Sequence, residues 1–183
     1  RSRGLGDVYK RQVLDRYTRN VLYPDTCYGC ESGGDPAVIP KLSYEDFLNF
    51  HRTYYHPSNS YIYLYGDMDM AEKLDWLDRE YLSRYDRLEK DSRIRSQKAF
   101  DAPKEREIFY PITESESEEN STYLSVSSVV GEPLNPIHYL AFQVLEYVLI
   151  DAPGAPLKVE LLNAGIGQDI LGGYENGILQ PYF

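Results

Sequence analysis

Three histidines, two cysteines and a run of glutamates are the side chains of this sequence that could bind a metal, attack a carbonyl or move a proton. His51 and His56 stand five residues apart, whereas two imidazoles share one helical face when they stand four apart. Neither H-E-x-x-H nor H-x-x-E-H occurs, so the chain carries no two-histidine helical zinc motif. His56 precedes Pro57 at an expected helix end, where its nitrogens can bond terminal carbonyls and its charged form suits the dipole. It reads as a structural cap, with ligand or base as the alternative. Cys27-Tyr28-Gly29-Cys30 has a redox-type or half-zinc spacing, but a second ligand pair is missing. The pair lies in a loop, away from any helix start that would activate a thiol. Two ordinary thiols are the first reading; a loop disulfide or an adventitious metal are the others.

Ser32-Gly33-Gly34-Asp35-Pro36 could suggest phosphate binding, yet it lacks the G-x-x-x-x-G-K-[ST] pattern and holds no basic residue. A tight turn needing positive φ is the simpler reading. Glu114, Glu116, Glu118 and Glu119 could form an acid–base pair, but a solvated acidic turn is commoner. Chemistry alone discloses no catalytic centre.

These residues sit in an acidic chain of 183 residues. Lys and Arg number 19 against 29 Asp and Glu, a formal charge of −10. That balance argues against non-specific binding to nucleic acid or anionic membranes. Hydrophobic residues make up 42%, enough for a packed core. No apolar run approaches the ~20 residues that span a bilayer.

The elements that would position the candidates can be read from periodicity. Residues 1–12 hold Arg1, Arg3, Lys10 and Arg11, lack apolar periodicity, and read as a non-native leader left by assembly or processing. Val13 to Tyr23 suits a short helix ending before Pro24, and residues 24–40 a long loop. Ser43 caps a helix whose Tyr44, Phe47, Leu48, His51, Tyr54 and Tyr55 share one side, with Asp46 completing a capping box. Tyr61 to Tyr65 alternates as a strand, and Gly66 ends it. Asp69 opens a helix with Met70, Leu74, Leu77, Tyr81 and Tyr85 as its buried stripe.

Residues 86–106 hold 12 charged residues among 21 and read as a linker. Strands are expected near 107–113 and 121–130. Asn135-Pro136 opens a helix with Ile137, Leu140, Ala141, Val144, Leu145, Val148 and Leu149 on its apolar face. Pro156 opens a shorter helix closed by Gly165. Asn176-Gly177 signals a two-residue hairpin turn, and the strand it launches runs to Phe183, as expected of a piece of a longer protein. Helices and strands mix without βαβ alternation, so the class is α+β.

Two stretches carry more. One is Pro24-Asp-Thr-Cys27-Tyr-Gly-Cys30-Glu-Ser-Gly-Gly-Asp35-Pro36 with Ile39-Pro40. The other is Phe47-Leu-Asn-Phe-His51-Arg-Thr-Tyr-Tyr-His56-Pro57-Ser58-Asn59, running into Tyr61-Ile-Tyr-Leu-Tyr-Gly66. In this order and spacing they resemble the presequence-protease branch of the inverted-zincin (pitrilysin/insulinase) metallopeptidases. Gly165 to Phe183 resembles a region of that family's second domain, so the resemblance covers 13–183.

The resemblance implies the end of one pitrilysin-like α/β-sandwich domain at 13–85, a charged linker at 86–106 and the start of a second such domain at 107–183. It implies a zinc metalloendopeptidase that degrades unfolded oligopeptides in an enclosed chamber, with the rest of the same polypeptide as partner. In the family the zinc-binding H-x-x-E-H and a downstream glutamate precede the matched region, so no catalytic or metal residue is assigned here and this piece alone is expected to be inactive. Localisation would be cytoplasmic in a bacterium and organellar in a eukaryote. The alternative is a non-catalytic peptide-binding or assembly-core member of the fold.

Overall fold

The computed structural model describes residues 5–119, 121–132 and 134–183, with side chains from residue 10 onward. Residues 1–4 of the expected leader lie outside the described residues. Helices dominate: α1 (Leu5–Leu22), α2 (Tyr44–Tyr54), α3 (Met70–Glu80), α4 (Pro136–Glu146) and α5 (Pro156–Asn163), with short 3-10 turns between them. A π-turn, Tyr147–Asp151, continues α4. The chain divides into two compact units, 33–93 and the combination of 1–32 with 94–183.

The local start and stop signals work as the residue types dictate. Ser43 Oγ accepts from the Asp46 amide at 3.1 Å, and the Asp46 carboxylate accepts from the Ser43 amide at 3.2 Å. That closes the expected capping box on α2. Asp69 accepts from the Glu72 amide to cap α3. Asn135 Oδ1 accepts from the amides of Ile137 and His138, and Pro136 occupies the first turn of α4. Gly165, at φ +70°, ends α5: its amide donates to Leu162 O and that of Ile166 to Leu161 O, a Schellman closure.

α1 begins at Leu5, earlier than expected, and takes in part of the stretch read as a leader. Lys10 contributes directly, its ammonium 2.6 Å from the Glu116 carboxylate and over the Tyr110 ring.

Strands depart furthest from expectation. Among the described residues the only bridges are antiparallel, Val129 with Tyr182 and Glu175 with Tyr182. Residues 61–65 and 107–113 form no ladder there, and of 121–130 only Val129 is bridged. Alternation creates a strand only when a second backbone supplies donors and acceptors at matching register. The 181–183 segment has that on both sides. Ser128 and Phe183 exchange two backbone bonds, as do Glu175 and Tyr182, and Val130 N donates to Pro181 O. The reversal between Glu175 and Tyr182 spans 176–181, so the expected two-residue Asn176-Gly177 turn is not formed. Gly177 does not take the positive φ that such a turn requires.

The core lies in the 1–32/94–183 unit, around Val13, Leu22, Tyr23, Ile150, Ala155 and Tyr174. α4 does not pack on its expected stripe: Ile137, Leu140, Val144 and Val148 are exposed. The face carrying Tyr139, Phe142, Glu146 and Ile150 meets 172–174 instead. Phe142 stacks on Tyr174 at 5.3 Å, and Tyr139 meets the same ring edge-on. Gly172 admits Ile150, since a Cβ there would lie 2.0 Å from Ile150 Cδ1. In the 33–93 unit no described residue is fully buried, and the stripe expected on α3 is exposed at Met70, Leu74 and Tyr85.

Candidate functional site

Among the described residues no group of three or more His, Cys, Asp or Glu side chains could hold a metal ion. His51 stacks face-to-face on Tyr55, with ring centroids 4.9 Å apart. His56 is a cap, but of the turn that follows it: its Nδ1 accepts from the Ser58 amide at 3.2 Å. The expected bonding of carbonyls at the end of α2 is replaced, because Tyr55 N already closes that helix on His51 O. Cys27 and Cys30 are free, exposed thiols. The described residues offer no donor set that fits a zinc ion.

The Ser32–Pro36 segment includes the expected turn, with Gly34 at φ +84°. Asp35 winds it: its carboxylate accepts from Ala37 N and its carbonyl from Val38 N and Ile39 N. The glutamate run contains one residue that is not simply solvated. Glu116 is held by Lys10 and by the Thr113 amide at 2.8 Å. The hydrogen bond from Lys10 is the largest cause of a carboxyl pKa below its ordinary value.

What the two diagnostic stretches build is a pair of clasps. Within the 33–93 unit, His56-Pro57-Ser58-Asn59 holds the 85–92 segment. Ser58 Oγ accepts from Leu88 N at 3.1 Å, and Ser92 Oγ donates to Asn59 Oδ1 at 2.6 Å. Asn59 Nδ2 donates to Tyr54 O at 2.9 Å, tying the same residue to the end of α2. Lys90 lies 4.8 Å over the Tyr54 ring, and the His56 and Tyr85 rings meet edge-on at 5.2 Å.

The second clasp, in the other unit, joins the end of α1 to residues 97 and 179–182. Tyr23 is fully buried and its hydroxyl donates to Gln180 O. Burial pushes its phenol pKa far up, and Tyr182 and Glu175 add to the rise. Gln97, also buried, accepts from Asp25 N at 2.9 Å and donates to the Asp25 carboxylate at 2.8 Å. Its backbone completes a reciprocal pair with the Gln180 side chain: Gln97 N donates to Gln180 Oε1, and Gln180 Nε2 donates to Gln97 O. Tyr28 Oη accepts from Leu179 N at 3.1 Å. Gly29 lets the loop pass, since a Cβ there would stand 2.3 Å from Tyr23 O.

Sequence reasoning did not single out Tyr23, Gln97 or Gln180. Gln97 sits in a charged segment with no periodicity, and only the Tyr23-Pro24 boundary gave a signal, as a helix end.

A profile of the family described as "Peptidase M16 inactive domain" matches residues 41–182, more than three quarters of the chain. The chain belongs to the peptidase M16 family. The matched span includes 86–106, the segment expected to be a linker. Protein HypA of Clostridium perfringens is 44% identical over 171 residues, which is 93% of this chain and 18% of that protein. Presequence protease 1, chloroplastic/mitochondrial, of Arabidopsis thaliana is 36% identical over 175 residues, 93% of this chain and 16% of that protein. The mitochondrial presequence protease of Mus musculus is 31% identical, with 94% and 17% covered. The M16 chain thus spans less than a fifth of the length of these curated relatives, and it resembles their presequence-protease branch as its motifs led one to expect.

Proposed function

We propose that this M16 chain is an internal, non-catalytic piece of a zinc metalloendopeptidase that degrades unfolded oligopeptides in an enclosed chamber. The observation carrying this reading is the likeness of 93% of the chain to a presequence protease. The zinc and its ligands would lie elsewhere in the same polypeptide. Residues 13–85 would complete a metal-bearing α/β-sandwich domain, 86–106 would bridge, and 107–183 would begin a second such domain. The unladdered alternation at 61–65 suits strands that pair with backbone supplied by the rest of that polypeptide. Relatives named mitochondrial or chloroplastic favour an organelle in a eukaryotic source, and a bacterial source would place the enzyme in the cytoplasm.

The role of this piece would be scaffolding. The two clasps hold the motif-bearing segments in place, and the Ser58 and Ser92 hydroxyls are engaged there by Leu88 N and Asn59 Oδ1. A net charge of −10 suits capture of basic peptides, since opposite charge speeds association. Reversing Glu114, Glu118 and Glu119 to lysine in the full-length protein should slow capture of basic peptides; an unchanged rate would remove that turn from the capture surface.

A second reading is a non-catalytic, peptide-binding or assembly-core member of the same fold, favoured by the match to an inactive-domain description. The upstream coding sequence separates the two. An in-frame H-x-x-E-H followed by a glutamate supports the protease, whereas a degenerate motif supports the binding protein.

A further inference from the structure

We propose that Cys27 and Cys30 form a reversible intramolecular disulfide, making the 27–30 turn a thiol modification site that clips the Tyr23–Gln180 clasp. Cys27 opens the 3-10 turn Cys27–Gly29 and Cys30 is its C-cap, with Cys30 N donating to Cys27 O at 3.1 Å. A 3-10 rise of about 2 Å per residue puts the Cα atoms of residues three apart roughly 6 Å apart. That lies inside the roughly 4.4–6.8 Å range of Cα separations seen across disulfides. Both thiols are exposed, so a small disulfide can reach them.

The turn is held in this shape from outside itself. Thr26 Oγ1 accepts from Tyr28 N, and Gly29 N donates to Thr26 O. Asn20 Nδ2 donates to Gly29 O, and Leu179 N donates to Tyr28 Oη. Gly29 lies against Tyr23 O, where no side chain would fit. These contacts hold the backbone of the turn, and with it the spacing of the two cysteine Cα atoms.

The oxidant is a low-molecular-weight disulfide such as glutathione disulfide. One cysteine thiolate attacks its S–S bond and releases one glutathione thiol, leaving a mixed disulfide. The second thiolate attacks the protein sulfur of that mixed disulfide and releases the other thiol. Two protein thiols are oxidised, one external disulfide is reduced to two thiols, and the thiol protons pass to the released glutathione. The product covalently fixes the turn that presents Tyr28 to Leu179.

The test is thiol trapping of the 183-residue protein across glutathione redox buffers, followed by alkylation and peptide mapping, with and without denaturant. The proposal expects both thiols to be lost together, a single peptide linked within 27–30, and a disulfide-to-dithiol ratio about tenfold or more higher in the folded protein than in denaturant. A ratio unchanged by denaturant, lasting glutathione adducts, chain-to-chain links, or two thiols that stay reduced would each overturn it. In Cys27→Ser, Cys30 should accumulate the mixed disulfide; a Cys30 that never does so would also overturn it.

Discussion

The Tyr23 hydroxyl donates a hydrogen bond to the backbone carbonyl of Gln180, 157 residues further along the chain. The bond joins the end of α1 to the turn leading into the 181–183 segment, and the Tyr23 ring meets the Tyr28 and Tyr182 rings edge-on. Tyr23→Phe keeps the ring and leaves a carbonyl without its donor, so it should lower stability by about 1–2 kcal/mol. Tyr23→Ala removes the ring as well and should cost about 3–5 kcal/mol. Urea midpoints of the two variants check both values; equal losses would mean that the hydroxyl, and not the ring, holds the clasp.

Gln97 and Gln180 bond one another in both directions, and Gln97 also holds Asp25. Members of one network do not act independently. A double-mutant cycle with Gln97→Ala and Gln180→Ala should give a coupling of about 0.5–3 kcal/mol. Additive single losses would show that the two glutamines act separately.

Glycine at position 29 is required by contact with Tyr23 O, a backbone atom that cannot rotate away. Gly29→Ala should therefore destabilise by about 1–3 kcal/mol and speed amide exchange at Tyr28 and Leu179. Gly33→Ala is the control, because a Cβ there meets nothing within 4 Å.

The Lys10–Glu116 pair gives a pH dependence with a definite sign. The bond from Lys10 lowers the Glu116 pKa below its ordinary 4.5. Folding therefore gains from the ionised form above that value and loses the gain as pH falls through the lower folded-state value. Lys10 is raised above its ordinary 10.5, chiefly by the same bond, so the pair's contribution also fades as pH rises through that folded value. Compared with Glu116→Gln, the native protein should hold its advantage at neutral pH and lose it in acid. Parallel stability curves at all pH values would contradict the pair.

Ser43→Ala should remove the α2 cap at a cost of about 1 kcal/mol, seen as faster amide exchange in the first turn of that helix. Asp46, whose carboxyl pKa is lowered mainly by the Ser43 hydroxyl, should then titrate closer to its ordinary value.

Helix ends were legible because their causes are local. Ser43 with Asp46, Asp69, Asn135-Pro136 and Gly165 each act over a single turn. Strands and buried faces depend on remote partners. Residues 61–65 alternate well and form no ladder among the described residues, whereas 181–183 is paired on both sides. Aliphatic spacing marks one face of α4, yet Phe142 and Tyr139 on another face meet the Tyr174 ring. The family was legible from Ser32–Pro36 and His56–Asn59, and the structure gives those residues a positional role. Gln97 was invisible because a buried glutamine in a charged segment differs from a solvated one only through Asp25 and Gln180.

The most direct measurement is hydrolysis of an unfolded basic oligopeptide by the full-length protein, before and after chelation and with zinc restored. The full-length protein should cleave the peptide, lose that activity on chelation and regain it with zinc, and the 183-residue chain alone should cleave nothing. A full-length protein that binds the peptide and leaves it intact, with zinc present, would contradict the protease reading and support the binding protein.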